Sequence, residues 1–112
     1  DIIISGGENI SSLAVESELT AHPDVLELAV VARTSAKWGE RPHAFIVLNP
    51  RSVYHGKEPE FLLILRAFAK GKLPGFAIPD SIEFVKELEK SSTGKVSKKT
   101  MRDALRVRDS KK

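Results

Sequence analysis

Residues 25–48 read VLELAVVARTSAKWGERPHAFIVL, two apolar runs separated by a polar stretch. The first run, Val25 to Ala32, is mostly apolar and β-branched and predicts a strand. His43 to Leu48 (HAFIVL) predicts a second strand, and residues 33–42 predict a polar loop between the two. Two neighbouring strands joined by one loop favour an antiparallel pair, and the rest of the chain is interpreted around this pair.

Shorter elements flank the pair on both sides. Apolar spacing predicts two short strands, one at 2–4 that ends in Ser5-Gly6-Gly7 and one at 81–85. Capping residues and Pro or Gly breakers predict three helices: about 12–21 capped by Ser11 or Ser12, Glu58-Pro59 to Gly71, and about 98–107 capped by Ser97. In the first helix we expect Val15 and Leu19 to face inward and Glu16 and Glu18 to face away.

This irregular alternation favours an α+β fold. We expect a small single domain whose mostly antiparallel sheet combines a short N-terminal hairpin with about three further strands. About three helices should flank the sheet. Residues 1–107 would form the domain, and residues 108–112 would be a frayed basic tail.

Composition excludes several classes of function. The 112 residues suit one domain and contain no Cys, which rules out disulfides, thiolate metal sites and a Cys nucleophile. No apolar stretch approaches the roughly 18 residues of a membrane span, so no span is predicted. The spacing of the three His residues predicts no metal site, and no Ser lies in a nucleophile-elbow sequence.

Charge is distributed unevenly along the chain. Residues 90–112 hold nine Lys or Arg and two Asp, whereas residues 1–89 hold nine basic and thirteen acidic residues. The basic segment either attracts phosphate or forms a solvated basic helix. Nucleic acid is the weaker choice of partner, because the segment contains no aromatic residue that could stack on bases.

Three short motifs each allow a structural and a functional interpretation. Gly6-Gly7 after a strand makes a tight turn or lets the backbone approach a ligand closely. Lys95 at the end of Ser91-Ser92-Thr93-Gly94-Lys95 is a surface lysine or a mobile charge for a phosphate or carboxylate oxygen. Trp38, the only Trp, anchors its loop or stacks on a ligand base.

A longer series of motifs stands in order along the chain: Asp1-Ile2-Ile3-Ile4-Ser5-Gly6-Gly7-Glu8-Asn9-Ile10, then Glu16, Leu19, His22-Pro23, Val25, Glu27 and Ala29-Val30-Val31, then Trp38-Gly39-Glu40 and Ala44-Phe45, then Leu73-Pro74, Pro79 and Phe84-Val85, and finally Thr93-Gly94-Lys95-Val96 with Arg102. In this order they resemble the C-terminal domain of the adenylate-forming (AMP-binding) acyl-activating enzymes, most of all acyl-CoA synthetases. The resemblance covers about residues 1–106.

The resemblance implies a role for each motif. Lys95 matches the lysine of the adenylation step, and Asp1 falls at the hinge about which the domain rotates. Gly6 and Gly7 would line the pantetheine tunnel, while Trp38 and Phe76 would contact coenzyme A. Mg-bound ATP and CoA would be substrates of the full-length enzyme, and neither would bind tightly to this domain alone.

The same resemblance implies an intracellular ligase, in the cytoplasm or an organelle such as the peroxisome. Its partners would be a large N-terminal domain that binds ATP and the acyl group, a carboxylic acid, ATP and CoA, with no nucleic acid. Ser12 stands where many members have Pro, which implies a looser start to the first helix. Two alternatives remain: a carrier-protein thiol as acceptor, or a non-catalytic nucleotide- or nucleic-acid-binding module.

Overall fold

Five strands and three helices make up the fold in the computed structural model, which describes residues 2–111. The strands are β1 (Ile2–Ser5), β2 (Glu8–Ser11), β3 (Val25–Ser35), β4 (Gly39–Leu48) and β5 (Ser81–Phe84). The helices are α1 (Ser12–Thr20), α2 (Glu58–Ala69) and α3 (Lys98–Ser110). A single 3₁₀ turn, Gly75–Ala77, lies between two prolines that exclude regular helix there.

The β3–β4 hairpin is longer than the sequence predicts. Its antiparallel register runs from Val25 opposite Leu48 to Ser35 opposite Gly39, so only residues 36–38 form the turn. The prediction of a polar loop over 33–42 is therefore wrong at both ends. The polar side chains there belong to strands, because backbone pairing needs no apolar side chain and Arg33 and Arg41 form ion pairs with Asp109 and Asp80.

β4 pairs with three of the other four strands of the sheet. It pairs antiparallel with β3 along its length, parallel with β5 from His43 to Ile46, and with β1 through the single pair Ser5–Gly39. β1 and β2 form a short hairpin at the edge of the same sheet, with Ile2 opposite Ser11. The predicted α+β class, with an N-terminal hairpin, about three further strands and three helices, is confirmed.

Both faces of the central sheet are covered, which explains why the apolar runs 28–32 of β3 and 44–48 of β4 are continuous rather than alternating. Side chains on one face, among them Val30, Ala44 and Ile46, pack with α1 and α2. Those on the other face, among them Ala29 and Phe45, pack under α3. The helices are held through buried residues one turn apart: Val15 and Leu19 in α1, Phe61, Leu65 and Ala69 in α2, and Met101 and Leu105 in α3.

Helix starts follow the predicted caps, but the end of α3 does not follow the prediction. Ser11 Oγ accepts from Ala14 N–H, and Ser97 Oγ accepts from Thr100 N–H. α3 continues to Ser110, so residues 108–110 of the predicted frayed tail are helical. Two ion pairs of the last turn, described below, hold it against the sheet.

Glu16 does not point away as predicted. Its Oε2 accepts the Val30 N–H at 2.8 Å and lies 2.5 Å from Lys98 Nζ. β3 is an edge strand of the sheet, so this backbone N–H has no strand partner on that side and takes a side-chain acceptor instead.

Candidate functional site

A shallow cleft of about 290 Å³ opens where the β1–β2 turn meets the β3–β4 turn. Gly6, Trp38 and Phe76, three of the residues for which the sequence implied coenzyme contacts, all line it. Trp38 is 47% exposed and Phe76 is 41% exposed, so both aromatic side chains remain partly open to solvent. The cleft is completed by Ser5, Glu8, Arg41, Arg66 and Asp80.

Trp38 lies directly against Gly6. The Gly6 N–H donates to the Trp38 carbonyl at 2.8 Å, and a Cβ on Gly6 would lie 2.8 Å from Trp38 Cε3. Gly6 also has a φ of 57°, in the left-handed region that favours glycine. The interpretation of Trp38 as a loop anchor is therefore confirmed, while stacking on a ligand stays a prediction.

The residues after Trp38 join β1 to β4. Glu40 Oε1 accepts the Ile4 N–H at 2.9 Å. Lys37 Nζ lies 4.9 Å from the centroid of the Trp38 ring, which places a positive charge beside the cleft.

Arg41 connects the walls of the cleft, and the sequence interpretation did not identify it. It donates to Ser5 Oγ, to the carbonyls of Phe76 at 2.6 Å and Ile78 at 2.9 Å, and to Asp80 Oδ2 at 3.0 Å. Its side chain is only 14% exposed. The only local signal was a charged residue directly after Trp38-Gly39-Glu40, since its partners lie more than thirty residues away along the chain.

Gly7 serves the turn rather than the cleft wall. Its φ is 84°, and nothing lies within 4 Å of the place its Cβ would occupy. It is absent from the residues that line the cleft. The tight-turn interpretation of the Gly6-Gly7 pair is thus confirmed, and contact between Gly7 and pantetheine stays a prediction.

Lys95 lies on a short hydrogen-bonded hairpin. The Ser91 N–H donates to the Lys95 carbonyl at 2.7 Å, and the Ser97 N–H donates to the Glu89 carbonyl at 2.8 Å. Between these two hydrogen bonds, Lys90 and Val96 form an antiparallel β-bridge. Lys95 is exposed and does not line the cleft. The hairpin therefore leaves the Lys95 side chain open to solvent. Asp1, the hinge prediction, lies outside the described residues.

Ion pairs join the basic C-terminal segment to the acidic body of the domain. Arg108 pairs with Glu83 through two bonds of 2.6 and 3.1 Å, and Asp109 pairs with Arg33 through two bonds of 2.9 and 3.0 Å. The bond from Arg108 holds the pKa of Glu83 below its usual value, and Glu83 in turn raises the pKa of Arg108. Part of the charge asymmetry of the sequence therefore binds α3 to the sheet.

His43 is buried beside these pairs, a position the sequence did not predict. It is 2% exposed, and its Nδ1 shares a 2.6 Å hydrogen bond with Ser81 Oγ. Its Nε2 lies 3.6 Å from Glu83 Oε1, too far for a hydrogen bond. Burial, followed by the charge of Arg33, lowers the pKa of His43 to about 4, outweighing the attraction of Glu83.

Two further features bear on the classes of function considered above. Within residues 2–111, no group of three or more His, Asp or Glu side chains is arranged to hold a metal ion. None of the helices over the same residues is both long enough and apolar enough to cross a membrane.

Comparison with known proteins decides the family. The sequence profile of the AMP-binding enzyme C-terminal domain matches residues 14–95. The chain belongs to this family. This AMP-binding C-terminal domain is 47% identical over 106 residues to a 2-methylpropanoate–CoA ligase of Humulus lupulus, covering 95% of the chain and 18% of that protein. It is 46% identical to a peroxisomal trans-cinnamate:CoA ligase of Petunia hybrida, covering 92% of the chain and 17% of that protein.

Solved structures agree with this assignment. The crystal structure of an acyl-CoA synthetase from Brucella canis matches this AMP-binding C-terminal domain with a TM-score of 0.87 and 35% identity, over 98% of the chain and 20% of that protein. The chain thus spans about a fifth of the length of the relatives it matches. The family and fold that the ordered motifs implied are both confirmed.

Proposed function

We propose that this domain is the mobile C-terminal part of an acyl-CoA synthetase. The full-length enzyme joins a carboxylic acid to ATP, releasing pyrophosphate, and then transfers the acyl group from the adenylate to the thiol of CoA. The proposal is carried by the separation, within one small domain, of an exposed lysine hairpin and an aromatic cleft. Relatives whose names describe CoA ligases support it.

Lys95 acts in the first half-reaction. A carboxylate oxygen attacks the α-phosphorus of Mg-bound ATP, and pyrophosphate leaves. The Lys95 ammonium bridges the carboxylate and the α-phosphate oxygens, holding the reactants together and stabilising charge in the transition state. Its exposed position and the absence of any ion pair or hydrogen bond from its ammonium to residues 2–111 leave that charge available to a substrate.

The cleft acts in the second half-reaction. CoA lies with its adenine against Trp38 or Phe76, whose side chains are partly exposed on the cleft. Its pantetheine arm passes the turn at Gly6 and Gly7, which add no side chain of their own, so that only the Trp38 ring stands against Gly6. Lys37, beside Trp38, contributes positive charge near the phosphates. An adenine contact favours free CoA over a carrier-protein thiol, which carries no adenine.

Rotation about a hinge at Asp1 presents these two regions to the N-terminal domain in turn. ATP, CoA and the acid bind mainly to the full-length enzyme, and the domain alone holds none of them tightly. We place the enzyme inside the cell, in the cytoplasm or an organelle such as the peroxisome. Two relatives are named as peroxisomal enzymes, which supports the second choice. The isolated domain should form no adenylate.

Lys95→Ala in the full-length enzyme tests the proposal. Loss of one charge-stabilising donor should lower ATP–pyrophosphate exchange about 10²- to 10³-fold. Thioester formation from supplied acyl-adenylate should be largely retained. The matched control is Lys99→Ala, which removes an exposed lysine of α3 whose ammonium, among residues 2–111, pairs only with Asp103 one turn on. Unchanged pyrophosphate exchange in Lys95→Ala would show that the assigned role is wrong.

A further inference from the structure

A small cluster of polar side chains links α1 to the start of α3. Lys98 Nζ lies 2.5 Å from Glu16 Oε2 and donates to Ser12 Oγ at 3.0 Å. The Lys98 and Glu16 side chains are 18% and 17% exposed, and Ser12 is fully buried. Ser12 was expected only to loosen the start of α1, but its hydroxyl binds an element 86 residues further along the chain.

The placement of Lys98 contradicts local preference. It is the first residue of α3, and the first turn of that helix contains no acidic residue. The positive end of the helix dipole disfavours a cation there. Such a violation indicates that another contact favours the residue, and the half-buried Glu16 carboxylate is that contact.

Glu16 is itself fixed to the sheet, which makes the cluster a firm point of attachment. The carboxylate that holds Lys98 also accepts the Val30 N–H of β3 at 2.8 Å. A single side chain therefore connects α1, the sheet edge and α3. Lys98 cannot move away without leaving a poorly solvated carboxylate unpaired.

Lys98 is three residues from Lys95, and the segment between them is constrained at both ends. Ser97 caps α3 with its hydroxyl and closes the hairpin with its N–H. The Lys95 carbonyl is bound by the Ser91 N–H. The base of the hairpin that presents Lys95 is therefore attached to the domain body through Lys98 on one strand, while the other strand has the longer, more exposed pair of Lys90 with Glu27 at 3.9 Å.

We propose that Lys98 is a positioning residue for the adenylation step, acting through Lys95 and not on substrate. This proposal rests on the function assigned to Lys95 above. The Ser12–Glu16–Lys98 cluster fixes the hairpin base relative to the sheet, so that domain rotation delivers the Lys95 ammonium to a defined place. Because the cluster lies entirely within the domain, it persists in both rotational states.

The test is Lys98→Met in the full-length enzyme, which keeps the length of the side chain and removes its charge. Misplacement of a reacting group by about 1 Å costs on the order of 100-fold, so the kcat of pyrophosphate exchange should fall about 10- to 100-fold. The KM values for ATP and acid, and thioester formation from supplied adenylate, should be unchanged. Lys98→Arg should restore most of the exchange rate, because it keeps a cation beside Glu16.

Lys99→Met is the matched control, since the neighbouring lysine is 79% exposed and pairs with Asp103 of the same helix. Glu16→Gln is a second variant, needed if Lys98→Met does not fold. It removes the charge opposite Lys98 while keeping an acceptor for Val30, and it should show the same selective loss.

Each other outcome overturns the inference. Unchanged pyrophosphate exchange in Lys98→Met and Glu16→Gln would reject it, as would an equal loss in both half-reactions, which would indicate a merely structural role. Lys95→Ala, assayed alongside, separates the two proposals. If Lys95→Ala loses exchange and Lys98→Met does not, only the positioning role is wrong. If Lys95→Ala retains exchange, the proposed function itself fails.

Discussion

The aromatic cleft and the Lys95 hairpin are built in opposite ways. The cleft brings together three segments far apart in sequence, around Gly6, Trp38 and Phe76. Arg41, three residues after Trp38, binds the other two through Ser5 Oγ and the Phe76 carbonyl. The hairpin is closed by bonds between residues no more than eight apart, and it exposes its lysine. The cleft should therefore be sensitive to substitutions that disturb packing, whereas the hairpin should be sensitive mainly at its base.

Replacing Arg41 should disturb the cleft most. Arg41→Met removes four hydrogen bonds, leaves the Phe76 carbonyl without its donor and leaves the Ile78 carbonyl with only the 3.4 Å bond from Arg66, which should destabilise the domain by about 2–4 kcal/mol. The KM for CoA should rise about 10- to 100-fold with little change in adenylation. Urea unfolding and half-reaction kinetics measure both. Arg51→Met, at an exposed position, is the control. A loss of adenylation in Arg41→Met as large as its rise in KM for CoA would contradict the separation between cleft and hairpin.

Acid should weaken the side of the domain that supports α3. Because the pKa of His43 is lowered to about 4, the folded state keeps this ring neutral between about pH 6.5 and 4 while the unfolded chain binds a proton. Stability should fall as the pH drops through that window, by about 3 kcal/mol in total, and this contribution should level off below it.

His43→Asn isolates that contribution, since it removes the titrating ring and retains a polar group beside Ser81. Glu83, whose pKa is also lowered, costs stability as the pH falls through acidic values in both proteins. The difference between their slopes of unfolding free energy against pH therefore reports His43, together with the smaller part of the lowered Glu83 pKa that His43 causes. Parallel slopes from pH 6.5 to 4 would show that His43 is already protonated in the folded domain.

Removing the indole should affect only the second half-reaction. Trp38→Ala should weaken CoA binding by about 1–3 kcal/mol, the usual contribution of an aromatic ring stacked on a base. Pyrophosphate exchange should remain at the wild-type level, and Trp38→Phe should retain most of the affinity. An unchanged KM for CoA in Trp38→Ala would show that Trp38 does not bind CoA and serves only to pack against Gly6.

Substitutions of the two turn glycines should change stability least, and they differ only in whether the new Cβ meets Trp38. Ala at Gly6 or Gly7 forces a left-handed backbone conformation at a cost of about 1 kcal/mol each. Only Gly6→Ala should also displace the indole, because its Cβ would overlap Trp38. Trp38 is the only Trp, so its fluorescence reports this directly. Identical emission spectra for the two variants would contradict the close contact.

Local patterns predicted much of the fold and part of the site. Ser11 and Ser97 were identified as caps, since a cap is satisfied within three residues. Glu16 was placed wrongly because helical periodicity does not report an unpaired N–H on a neighbouring strand. His43 was interpreted only as part of a strand, because its neighbours Ser81 and Glu83 lie about forty residues later in the chain.

The sequence by itself determined the α+β class, most of the elements and the family, because apolar periodicity, caps, breakers and ordered motifs are properties of neighbouring residues. Only the tertiary structure decided that Arg41 assembles the cleft, that part of the basic C-terminal segment is held by acids of the body, and that Lys98 attaches the Lys95 hairpin. These depend on which distant segments share a surface, and that is settled only when the sheet and its helices pack.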